Sequence, residues 1–98
     1  MNTTRTTLFL MANLGSEVSQ IFSYAEKGEL KLAESARLRA DRIIKELLAH
    51  PEMKGRTGEI EILKSVIEDL FARERQFAVN KTEIEEYFMP FALRLMAV

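Results

Sequence analysis

The sequence predicts an all-α fold, an antiparallel four-helix bundle formed by one domain spanning residues 1–98. Three observations carry that expectation. Apolar residues recur at alternating three- and four-residue spacings along most of the chain, the period of one helix face. Glycine and proline are scarce, four and two, and are expected where helices stop or bend. The apolar fraction of 47% with 30% charged residues is that of an ordinary globular domain, neither disordered nor membrane-embedded.

The first helix is expected over residues 4–27. Met11, Leu14, Val18, Ile21 and Ala25 share one face, which Leu10 and Phe22 widen. Gly28 then supplies the left-handed residue that commonly follows a helix. The second helix, 29–49, lines its inner face with Ala33, Ala36, Ala40, Ile43 and Leu47, with Leu32 and Ile44 at the edges. Its small residues allow close approach to the first helix, and the tight turn between the two predicts an antiparallel hairpin. His50-Pro51 ends it, because the residue before proline is pushed away from helical angles.

A loop follows, and then a third helix over 59–75 that buries Ile60, Leu63, Val66, Ile67, Leu70 and Phe71. Glu59 and Glu61 suit its first turn, where the helix dipole favours acids. The fourth helix, 81–97, has the strongest start signal. Asn80 and Glu83 have capping-box spacing, and Val79 and Ile84 have that of a hydrophobic staple. Its core face is Ile84, Tyr87, Phe88, Phe91 and Leu95, and a kink or restart is expected at Pro90. A three-helix core with the last segment exchanged between chains is the main alternative.

Composition narrows the chemistry. The chain has no cysteine and one histidine, which excludes a disulfide framework, thiol redox chemistry and a histidine-rich metal site. No catalytic, cofactor-binding or metal-binding set of residues is predicted, and no cofactor. Carboxylates abound on the third and fourth helices, but the inward Glu-x-x-His pairs of a carboxylate-bridged metal site are absent. Arg42 and His50 are too far apart for the Arg-His motif of helical ribonucleases. His50 is expected at a helix end because its charged form suits the dipole. The apolar stretch Leu8–Ala12 is too short for a signal peptide, and no run approaches a membrane span. A cytoplasmic location and no membrane association are therefore expected.

Two surface features carry the functional expectations. Met89, Leu93 and Met96 fall at i, i+4 and i+7 on the side of the last helix away from Phe88, Phe91 and Leu95. Phe9 likewise points away from the main stripe of the first helix. A helix apolar on two faces is central or is covered by something else. These four residues are the candidate interface of a homo-oligomer, a dimer by preference, with another protein partner as a further possibility. The expected function is a non-enzymatic helical interaction module, self-associating through its C-terminal helix.

Segment 29–56 is richer in Lys and Arg than in acids, and segment 57–89 is the reverse. Lys31, Arg42 and Lys45 share the outer face of the second helix, with Leu38 among them and Lys54 and Arg56 in the loop beyond. This basic stripe supports the alternative, a nucleic-acid-associated accessory protein. A net charge of −1 supplies no global field to favour it.

Overall fold

The computed structural model of the chain describes residues 5–72 and 79–97. Four helices are present, with no strand among the described residues: α1 (Thr7–Glu26), α2 (Leu30–Leu48), α3 (Gly58–Asp69) and α4 (Lys81–Met96). A 3-10 turn, Pro51–Met53, lies between α2 and α3. Helix α1 packs against both α2 and α4, and α3 packs against α2. The packing is that of a helical bundle, with one apolar core drawn from all four helices.

Local chemistry sets the ends of α1. The Thr6 hydroxyl accepts the Phe9 N–H at 3.1 Å and caps the first turn. At the other end Gly28 adopts φ +72, a backbone conformation without steric cost only for glycine, and the chain turns directly into α2. Two ion pairs tie α1 and the residues before it to α2. Arg39 bonds both carboxylate oxygens of Glu17 at 3.0 Å, and Arg5 grips Glu46 through two nitrogens. The Arg5 hydrogen bonds hold the Glu46 carboxyl below its usual range and raise the guanidinium. Both groups are exposed, so solvent screening leaves that pair little weight in stability.

The core follows the predicted stripes closely. Leu10, Leu14, Val18, Ile21, Ala33, Ala36, Ala40, Ile44, Leu47, Ile60, Ile67, Ile84 and Phe88 are all buried. Ala25, expected on the inner face of α1, and Leu32, expected at the edge of that of α2, are exposed instead. They sit at the Gly28 end of the α1–α2 hairpin, where the two helices run out into solvent. On the outer face of α2, Leu38 is 52% exposed. Leu38→Ala is expected to move the denaturation midpoint by no more than about ±0.5 kcal/mol of stability.

Two expectations are corrected. Helix α3 ends at Asp69, short of residue 75, and the predicted turn through Glu74 and Arg75 lies outside the described residues. Beyond Asp69 the bonds shorten to i→i−3, Phe71 N–H to Glu68 and Ala72 N–H to Asp69. Leu70 and Phe71 still pack against the core, because three-residue spacing serves a 3-10 turn as well as an α-helix. Of the kink or restart expected at Pro90, a restart is not seen: α4 continues through it from Lys81 to Met96. Proline removes the donor for the Glu86 carbonyl; both residues are on the exposed side of the helix, where water can replace that bond. Lastly, glycine is not confined to helix ends: Gly15 lies in the middle of α1 and is buried.

The start of α4 is as the sequence predicts. Asn80 Oδ1 accepts the Glu83 N–H at 2.8 Å, and the Glu83 carboxylate accepts the Asn80 N–H at 3.2 Å. Val79 and Ile84, the expected staple, both join the core. Helix α4 packs on α1 of its own chain rather than standing apart from it.

Candidate functional site: an apolar groove between α1 and α4

Three contacts define how α4 lies on α1. The Ser19 hydroxyl donates to Glu85 at 3.0 Å. One turn towards the N-terminus, Gly15 meets Phe88. Further along, Leu8 and Met11 share a cavity with Phe91 and Arg94. Falling numbers on α1 thus match rising numbers on α4, and the helices are antiparallel.

Gly15 sets the distance between them. A Cβ built on it would stand 2.6 Å from both Cβ and Cγ of Phe88, far inside van der Waals contact. The Phe88 side chain therefore occupies the space that any other residue at position 15 would need. Phe88 is held edge-on by Tyr87, with ring centroids 4.9 Å apart.

Beside this contact, a groove of about 290 Å³ runs between the two helices. Ala12, Gly15 and Ser16 line its α1 wall, and Phe88, Met89 and Ala92 line its α4 wall, with Ser19 and Glu85 at one end. Phe9 precedes Ala12 by three residues and Ser16 by seven, so it stands on the same side of α1. Leu93 and Met96 continue the Met89 side of α4 by the same spacing. The four residues singled out in the sequence thus flank one groove, and all are exposed: Phe9 36%, Met89 54%, Leu93 58% and Met96 81%. Arg5 lies over the Phe9 ring at 5.4 Å and covers part of it. Intrachain packing of α4 does not rotate the stripe inward.

The basic residues are arranged differently. Lys31, Arg42, Lys45, Lys54 and Arg56 are all exposed, but they do not converge. Lys31 and Lys45 are fourteen residues apart on one helix, about 21 Å at 1.5 Å per residue. Carboxylates interrupt the surface between them: Glu34 pairs with Arg37 at 3.5 Å. The Asp41–Lys45 spacing yields no ion pair in the structure, whereas Arg39 crosses to Glu17 on α1. Arg56 lies apart from the stripe and lines a second cavity, of about 320 Å³, with Arg94 and Glu59 over a floor of Leu8, Met11, Met53 and Phe91.

His50 stands directly after the C-cap of α2, as expected, but is buried there and makes hydrogen bonds through both ring nitrogens. Its Nδ1 accepts the Glu52 N–H at 3.1 Å, and its Nε2 lies 2.7 Å from the Arg5 carbonyl. An acceptor at Nδ1 and a donor at Nε2 define the neutral Nε2–H tautomer. His50 thus caps the 3-10 turn and pins the chain entering α1 to the end of α2. Among the described residues, no cluster of three or more His, Asp or Glu could hold a metal. No described helix is long and apolar enough to cross a membrane.

A third cavity, of about 430 Å³, lies at the opposite end of the bundle, where Phe22, Leu30, Phe71 and Val79 meet. No protein-family model, curated protein or solved structure matches the chain.

Proposed function

We propose that the chain is a non-enzymatic helical interaction module that self-associates through α4, with the α1–α4 groove as its contact surface. The observation that carries this reading is the exposed stripe Met89, Leu93, Met96, extended across the groove by Phe9. Water-exposed apolar side chains gathered on one surface mark association sites more often than ones scattered singly. The methionines can adapt their shape to whatever packs on them.

A second copy of the chain fits this surface by symmetry and by charge. A two-fold axis near the middle of the stripe lets the same patch serve both partners, with the two α4 helices antiparallel. Their dipoles then oppose each other. Small groups along the groove, Ala12, Ser16 and Ala92, leave room for the neighbour's side chains. A net charge of −1 offers little repulsion between copies.

The test is Leu93→Glu, read by sedimentation velocity and far-UV circular dichroism at tens of micromolar. The parent is expected to be dimeric. The variant is expected to be monomeric with an unchanged helical spectrum, because a glutamate on each side places like charges in an apolar seam. A parent that is monomeric at this concentration, or a variant that remains dimeric, would overturn the proposal.

A further inference from the structure

We infer that the cavity bounded by Arg56 and Arg94 binds a small amphipathic monoanion, a carboxylate carried on a short apolar chain. The cavity is on the other side of α4 from the dimer stripe, so the inference is independent of self-association. Its volume, about 320 Å³, is at the lower end of small-molecule sites, and its make-up suits such a ligand: an apolar floor with few polar groups at the edge.

Two arginines without an ion pair among the described residues meet at this one cavity. Arg5, Arg37 and Arg39 each engage a carboxylate. The side chains of Arg56 and Arg94 line one cavity with Glu59 and form no hydrogen bond or ion pair with the described residues. They come from distant parts of the chain, one from the loop before α3 and one from the last turn of α4. The fold therefore brings two solvent-exposed guanidinium groups to one opening. A guanidinium presents a fork of donors that matches carboxylate and phosphate geometry. Glu59 leaves the lining with a net charge of +1, which suits one negative charge better than two. Beneath, Met11 and Met53 are buried, flexible and apolar, and supply a floor that adapts to an alkyl chain.

The probe is octanoate, titrated into uniformly labelled protein and followed by the Met11 and Met53 methyl and Arg Nε–H resonances. Octylammonium, with the same chain and opposite charge, and acetate, with the head alone, serve as controls. Octanoate is expected to give saturable shifts at both methionines and both arginines. Octylammonium and acetate are expected to give none at the same concentrations. Arg56→Gln and Arg94→Gln, each verified as folded by circular dichroism, should weaken octanoate binding about tenfold, as loss of one charge-assisted contact does. Absence of saturable shifts up to millimolar octanoate would overturn the inference in the wild-type protein itself. Equal binding of octylammonium, or undiminished binding in both variants, would also overturn it.

Discussion

Ile67→Ala is expected to destabilise the domain by about 2–5 kcal/mol, the cost of a large-to-small change at a buried site. Ile67 is 1% exposed and belongs to the single core cluster. Its helix is short, twelve residues, and is held chiefly by its packing on α2. Neither end supplies much help: Thr57 makes no side-chain cap bond, and no basic residue lies in the last turn. A helix of that length is marginal on its own, so its stability comes from the apolar face. Removing three carbons from the centre of that face takes away a large part of what a domain of this size has in hand, about 5–15 kcal/mol. Urea denaturation measures the change. A loss below about 1 kcal/mol would mean that α3 is not docked where the structure places it.

Gly15→Ala is expected to destabilise the protein, although alanine is the better helix former by about 1 kcal/mol. The new methyl would stand 2.6 Å from the Cβ and Cγ of Phe88. Cβ is fixed by the α4 backbone, so no change of rotamer moves it away. Relief requires the two helices to part, and overpacking of this kind costs about 1–3 kcal/mol. Gly58→Ala is the matched control. Nothing lies within 4 Å of a Cβ there, and the same substitution should be neutral or stabilising by up to about 1 kcal/mol. If both variants are stabilised alike, α1 and α4 do not approach as closely as described.

These two sites also mark how far the sequence could be read. Ile67 was legible, because its neighbours Ile60, Leu63 and Val66 repeat at helical spacing and the buried stripe is what creates that repeat. Capping at Asn80 was legible for a similar reason: it depends on residues three apart in one segment. Gly15 was not. Its role depends on Phe88, 73 residues away, although a lone glycine inside an otherwise helical pattern is itself a signal of close approach. The burial of His50 is not legible on the same ground, since one of its partners is the carbonyl of Arg5, far off in sequence. The continuation of α4 through Pro90 depends on which side of the helix faces water, and tertiary packing decides that.

The functional surfaces divide in the same way. The stripe Met89, Leu93 and Met96 was legible from spacing within α4. That Phe9 flanks the same groove follows only from the antiparallel docking of α4 on α1. The basic stripe illustrates the opposite case: five charges close in sequence are spread over the surface, and Arg56 instead joins Arg94 at a cavity that neither local segment predicts. Periodicity shows which side of a helix is apolar, but not which helices meet.

Sedimentation equilibrium on the unmodified chain measures self-association through α4 without any substitution. Across a dilution series from about one hundred to about one micromolar, a mass of twice the monomer is expected at the upper end. A single molar mass equal to the monomer throughout, with the protein folded, would contradict it.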